Sequence, residues 1–320
     1  MVTLDQLQGL TGAKRTVRGL ASPNAGAHAV LLYGAEGAGK STLAKVLAQQ
    51  WLCTEPSEDG ACGECRSCAS FDRGQNADFL VIGPVGASQI IRLGAISSVK
   101  PKTQNLSKRA GLTSSTDSDD EDYPLPLVSF FRTPPLRSRS KVVLIEPADR
   151  MNSRAANALL KTLEEPHPYA KLILTTNAIS QILPTILSRC LVVSCELPQS
   201  TTHHDPLHRL AGGAPGVFNR LAENRPTFVR LIMFAESLST LGPEHALVCA
   251  EEFKNICGDI ETFEKLGARQ ANTYGLKLLA SAISDPLHVQ SVVEAHRRVL
   301  GNGNAALIFD SLFAQLLKLN

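Results

Sequence analysis

Short, continuously apolar runs alternate with amphipathic stretches from about residue 28 to residue 197. AVLLYG, DFLVIG, KVVLIE, KLILTT and LVVSCEL are rich in Val, Ile and Leu, the composition and length of buried strands. LAKVLAQQWL and SRAANALLKTLEE lie between them and place apolar residues at three- and four-residue spacing, as a helix with one buried face does. Strands separated by helices predict an α/β fold, a parallel sheet wrapped by helices. After Pro198 the strand pattern ends. HDPLHRLA, APGVFNRLAEN, TFVRLIMFAESLSTL, EHALVCAEEFKNICGDIETFEKLG, TYGLKLLASAIS, VQSVVEAHRRVLG and ALIFDSLFAQLLKL read as helices broken by Gly and Pro. The simplest division is an α/β domain over 1–197, a small helical domain over 198–238 and a larger one over 239–320.

The chain has 320 residues, 43% of them hydrophobic and 19% charged, which suits a globular protein of two or three domains. Its start, MVTLDQLQGL, lacks the basic patch and long apolar block of a secretory signal. No stretch of about 18 uncharged apolar residues is present to span a bilayer, so the expectation is a cytoplasmic protein with no membrane contact. Formal net charge is only +2. Any contact with nucleic acid must then come from a local patch or through partners. Residues 113–123, TSSTDSDDEDY, break the pattern, with Lys100, Lys102, Lys108 and Arg109 before them and Arg132, Arg137 and Arg139 after. So few apolar residues cannot order a segment, and a mobile, solvated insertion is expected over 103–124.

GAEGAGKS fits the pattern GxxxxGKS/T between a strand and a helix. Gly34, Gly37 and Gly39 let backbone N–H groups curl around a phosphate chain. Lys40 adds a point charge, and Ser41, followed by Thr42, offers a hydroxyl for magnesium at the helix start. These six residues are candidates for binding ATP or ADP with magnesium; the plain alternative is a Gly-rich turn opening a helix. Cys53, Cys62, Cys65 and Cys68 follow at once, with Gly60 and Gly63 between them. Four thiolates gathered by tight turns suit a closed, structural zinc site, although an iron–sulfur cluster or a metal-free knuckle would use the same spacing. The cysteines at 190, 195, 249 and 257 fall in strand or helix patterns and read as small buried apolar residues.

KVVLIEPADRM ends a strand in Glu146 and Pro147. In a phosphate-loop ATPase an acidic residue here helps hold magnesium, and a neighbouring carboxylate orients or deprotonates the attacking water. Glu146 suits the first task; Pro147 cannot perform the second. Loss of a general base costs a factor of about 10² to 10⁴ in rate. Asp149 is the substitute base to weigh, its plainer role being a charge near the next helix start. Asn177, at the tip of KLILTTNA, could sense a terminal phosphate or simply end a strand. Arg189 in ILPTILSRC could reach a neighbour's active site or form a surface ion pair.

Taken together, the phosphate loop followed by four cysteines, KVVLIEPADRM, AANALLKTLEEP, TTN and LPTILSRC resemble the bacterial clamp-loader branch of the AAA+ ATPases across residues 1 to 200. The helices beyond fit its lid and collar only by length and pattern. Motor subunits of that branch, gamma and tau, carry Asp-Glu where this chain has Glu146-Pro147, a pattern similar to the delta prime family of DNA polymerase III subunits. The resemblance implies an AAA+ phosphate-loop parallel sheet (1–197) with an inserted zinc knuckle (53–68), an all-helical lid (198–238) and an all-helical collar (239–320). It implies nucleotide contacts at Gly34, Gly37, Gly39, Lys40, Ser41, Thr42, Glu146 and Asn177, zinc on the four cysteines, and Arg189 presented in trans to a neighbour's ATP. Pro215, in GGAPGVF, stands about where the motor subunits' lid has a second sensing arginine. The implied partners are gamma or tau and delta subunits and, through the complex, the beta sliding clamp and primed DNA. Two rival readings remain at this point: a self-sufficient motor ATPase, and a zinc-dependent nucleic-acid-binding module with a vestigial phosphate loop. With one Trp and four Tyr, few aromatics are available to stack bases in the second rival.

Overall fold

The computed structural model describes residues 4, 7, 9–20, 26–57, 60–86, 89–97, 123, 125–197 and 205–318. Of the insertion expected over 103–124, all but Tyr123 lies outside the described residues. The chain divides into two compact units, residues 1–198 and 199–320.

The first unit is built on five strands: β1 (Ala29–Tyr33), β2 (Phe79–Ile82), β3 (Lys141–Ile145), β4 (Ala170–Thr176) and β5 (Leu191–Ser194). They form one sheet in the order β2-β3-β4-β1-β5, every pair parallel. Among the described residues its helices are α1 (Thr11–Gly19), α2 (Lys40–Leu52), α3 (Arg66–Asp72), α4 (Leu93–Ile96), α5 (Leu127–Phe131), α6 (Ser153–Glu164) and α7 (Pro184–Leu187). The two-residue period of a strand divides each apolar run between two cores. Val142 and Leu144 of β3 join Val30, Leu32, Ile173 and the α2 residues Leu43 and Leu47 on one face. Val143 and Ile145 join Leu31, Leu172, Leu174 and the α6 residues Ala155 and Leu159 on the other. Both faces are covered, so the runs are apolar throughout instead of alternating. The parallel sheet wrapped by helices that the sequence predicts is the observed one.

Four helices of this unit escaped the sequence pattern: α1, α3, and the short α4 and α5, of four and five residues. Helix α1 buries only Ala13 and Val17, one turn apart, too few apolar positions to show a period. Helix α3 lies within the cysteine segment, where Cys65 caps it by accepting from the Cys68 N–H. Loop 132–140 ahead of β3 is held by the buried Asp78, whose carboxylate accepts from the backbone N–H groups of Leu136, Arg137 and Ser138 at 2.7, 2.9 and 3.0 Å.

The second unit is helical: α8 (Pro206–Leu210), α9 (Pro215–Glu223), α10 (Arg225–Ser237), α11 (Ala246–Glu264), α12 (Ala268–Ala282), α13 (Pro286–Leu300) and α14 (Ala305–Leu316). Pro206, Pro215 and Pro286 open helices instead of breaking them, because a first-turn residue needs no N–H partner. Asp205, Asp285 and Asn304 cap three of the helices with side-chain oxygens. Helix α12 begins at Ala268, ahead of the TYGLKLL stretch, since its exposed first turn, Ala268-Arg269-Gln270, carries no apolar signal. A single apolar cluster extends from Leu207 to Leu317. Phe253 lies at its centre, fully buried, with the rings of Phe309, Phe313 and Phe234 at 4.9, 5.6 and 6.1 Å. Among the described residues no helix is long and apolar enough to cross a membrane.

Phe253→Ala would empty that centre, and α11 cannot collapse into the space without losing its other contacts. The expected loss is about 3–5 kcal/mol, read as a lowered midpoint in urea unfolding.

Candidate functional site

The carboxyl end of β1 runs into Gly34–Gly39 and then α2. At Gly34, φ is 156°, and a Cβ would stand 2.5 Å from the carbonyl oxygen of Cys195, just beyond β5. No other residue lets the loop pass. Gly37 and Gly39 take φ of 73° and 91°, the left-handed region that glycine occupies without strain. Gly39 precedes α2 with no side-chain cap, which leaves the first-turn N–H groups for an acceptor such as phosphate.

Lys40 is 7% exposed. Its Nζ donates to the carbonyl oxygens of Gly34 at 2.9 Å and Ala35 at 2.6 Å, holding the loop in its curl. Burial lowers its pKa, opposed by Cys195, Glu36, Asp149 and Glu146. Ser41 donates from Oγ to the Glu146 carboxylate, so the hydroxyl at the start of α2 and the acid at the end of β3 meet, as two ligands of one magnesium ion would. Thr42 follows, half-buried.

Pro147 stands immediately beyond Glu146, in a cis peptide, and offers no proton acceptor. Asp149 has a different role from the helix-start charge expected of it. Its Oδ1 accepts from the Thr176 hydroxyl at 2.6 Å and the Asn177 N–H at 3.2 Å, tying the chain after β3 to the tip of β4. Thr176 Oγ1 also accepts from the Ala178 N–H at 3.0 Å. The α6 start is capped by Asn152, whose Oδ1 accepts from the Ala155 N–H at 2.8 Å. Asn177 is exposed at the end of β4. Arg189, just after α7, is half-exposed: its Nη1 donates to the Thr185 carbonyl at 2.9 Å and to Ser188 Oγ at 3.3 Å, and Nη2 pairs with Glu164 at 2.8 Å.

Sequence reasoning missed a cleft of about 480 Å³ between the start of α1 (Gly9–Ala13, Thr16) and the end of β5 (Val192–Ser194, Glu196, Leu197). It adjoins the phosphate loop, since the Leu10 side chain lies 3.5 Å from where a Gly39 Cβ would be. Gly9 and Gly12 flanking Leu10 were the only signal.

The Sγ atoms of Cys53, Cys62, Cys65 and Cys68 lie within 4.8 Å of one another. Cys53 is 3.5 Å from Cys62 and 4.0 Å from Cys65. Tetrahedral zinc with Zn–S of about 2.3 Å puts its sulfurs about 3.8 Å apart, so the set fits a single ion, whereas cysteines around a multi-iron cluster must span the cluster. Backbone N–H groups of Cys62, Cys65 and Cys68 donate to the sulfurs of Cys53, Cys62 and Cys65 at 3.3, 3.4 and 3.4 Å. Such bonds favour thiolates. Burial raises the Cys65 pKa, yet hydrogen bonds from Thr54 and Cys68 outweigh it and bring the thiol down to about 6; burial raises the Cys53 thiol. The other four cysteines are buried or half-buried, and burial alone pushes Cys190 and Cys257 up to about 12, as inert apolar residues require.

Residues 11–199 match the family described as "DNA polymerase III, delta subunit", more than half of the chain. Curated relatives include the DNA polymerase III subunit delta' of Pseudomonas aeruginosa, 37% identical over 61% of this chain and 56% of that protein. The delta' subunit of Bacillus subtilis is 31% identical over 51% and 40%. The chain belongs to the delta prime family. A gamma subunit of Buchnera aphidicola is 29% identical over 53% of this chain and 38% of its own, so the chain is similar to a gamma subunit as well. The chain spans about half the length, or less, of these curated relatives.

The cysteine set of this delta prime family member could hold one metal ion with four protein donors and no open position, the arrangement of a structural centre. Purified protein is expected to carry one zinc per chain by elemental analysis. Cys62→Ser should abolish stoichiometric zinc and lower the melting temperature by several degrees; a variant that keeps both would refute the centre.

Proposed function

We propose that this chain is the delta prime subunit of a DNA polymerase III clamp loader, a cytoplasmic complex that loads the beta sliding clamp onto primed DNA. It assembles with gamma or tau and delta subunits, binds nucleotide without hydrolysing it, and supplies Arg189 in trans. The AAA+ domain spans 1–197, the lid 198–238 and the collar 239–320. The observation that carries this reading is the pairing of a complete phosphate loop with Pro147, which leaves the strand tip one carboxylate short.

In this reading the loop N–H groups and Lys40 hold the phosphates of ATP or ADP, Ser41 and Glu146 hold magnesium, and the base rests in the cleft between α1 and β5. Magnesium would supply charge neutralisation at the phosphates. Asn177 stands exposed at the strand end, where a terminal phosphate would be sensed. No group activates water: Pro147 is aprotic and Asp149 is committed to Thr176 and Asn177. That commitment weighs against a self-sufficient motor. Pro215, at the first position of α9, leaves the lid without the second sensing arginine, a further loss of hydrolytic equipment. Arg189 keeps its side chain 35% exposed, free of the core and able to meet charge developing on a neighbour's phosphate.

Two measurements test the proposal. The purified chain alone should bind ATP and show no steady-state hydrolysis above background; brisk turnover would favour the motor reading. Arg189→Ala should leave assembly with gamma and delta subunits intact and lower turnover at the neighbouring site by about 10³-fold. Unchanged ATPase in the reconstituted complex would rule out the trans role.

A further inference from the structure

Arg189 does not stand alone. It follows α7, a helix of only four residues, Pro184–Leu187, and its Nη1 bonds to Thr185 and Ser188 reach only atoms of that same short segment. One turn of helix is a poor anchor. The bond that leaves the segment is the 2.8 Å pair between Nη2 and Oε1 of Glu164.

Glu164 is the last residue of α6, a helix of 12 residues. The residue before it, Leu163, is buried in the core between α6 and the sheet. The Leu163 carbonyl takes a hydrogen bond from His28 Nε2 at 3.1 Å, and His28 leads directly into β1. The end of α6 is therefore fastened to the sheet at the very residue beside Glu164. We propose that Glu164 is the positioning residue for Arg189, fixing the guanidinium to the rigid sheet so that its free edge is presented to a neighbouring subunit's nucleotide. The inference rests on the trans role of Arg189 proposed above.

The geometry leaves the finger usable. A guanidinium has five N–H donors, and the three bonds to Thr185, Ser188 and Glu164 leave Nε–H and one hydrogen of Nη2 for an outside phosphate oxygen. The two side chains are 35% and 48% exposed, and an ion pair this open adds little to folding stability. Its effect belongs in orientation, where a misplacement on the order of 1 Å costs up to about 10²-fold in rate. Removing Glu164 should therefore lower kcat while KM for ATP and the melting temperature stay as they are.

The test uses the complex reconstituted with gamma and delta subunits, comparing wild type, Arg189→Ala, Glu164→Ala, Glu164→Gln and the double variant Arg189→Ala/Glu164→Ala. Glu164→Ala is expected to lower kcat for ATP about ten-fold with KM unchanged. Glu164→Gln, which keeps an oxygen acceptor at the same reach, should retain more activity than Glu164→Ala. The double variant should be no slower than Arg189→Ala, because a positioning residue has nothing left to position. If Glu164→Ala matches or exceeds wild type, or if its loss adds to that of Arg189→Ala, the positioning role is overturned while the trans role stands. If Arg189→Ala leaves turnover unchanged, the trans role falls and the positioning role with it.

Discussion

Parallel pairing of β1 with β4 and β5, and of β4 with β3, is the constraint on which the first unit depends. It brings the carboxyl ends of strands distant in sequence to one edge of the sheet, with Tyr33 in register with both Thr176 and Ser194. Every candidate nucleotide contact leaves from that edge: the phosphate loop from β1, Glu146 from β3 and Asn177 from β4. Pairing also sets the tolerance. Because β5 lies directly beside β1, the Cys195 carbonyl group presses on Gly34 closely enough to exclude any side chain.

Hydrogen bonds among the strand tips decide what each acid can do. Glu146 faces the start of α2 and receives the Ser41 hydroxyl, whereas Asp149 turns to β4 and is taken up by Thr176 and Asn177. Two carboxylates three residues apart thus serve different elements, one facing the start of α2 and one spent as a strut to β4.

Two helices carry these local arrangements across the unit. Helix α2 has Lys40 as its first residue and Cys53 as its C-terminal flank, so phosphate loop and cysteine knuckle are the two ends of one rod about 20 Å long. Helix α6 begins beyond the acidic strand tip of β3 and ends at Glu164, beside Arg189. A site built at helix ends on a sheet buried on both faces inherits the stiffness of that sheet, which is what placing charge within a fraction of an ångström demands.

The sequence by itself determined the strands, most helices, the phosphate loop and the cysteine set, because each is written in local pattern: apolar runs, three- and four-residue spacing, glycines before Lys40, thiols three residues apart. Family membership was legible for the same reason, through motifs of consecutive residues. Helix α1 and the cleft beside β5 were not, since two buried residues make no period and a cleft between distant segments leaves no mark on either. Only the tertiary structure decided that Asp149 serves β4, that Asn152 and not Asp149 caps α6, that Gly34 is required by Cys195, and that Arg189 is held by Glu164. Each of these is a contact between residues about 25 or more apart in the chain, or a choice between neighbouring side chains of the same chemistry. Such choices follow from which strand lies beside which, and strand order is a property of the packed sheet that no single run of residues encodes.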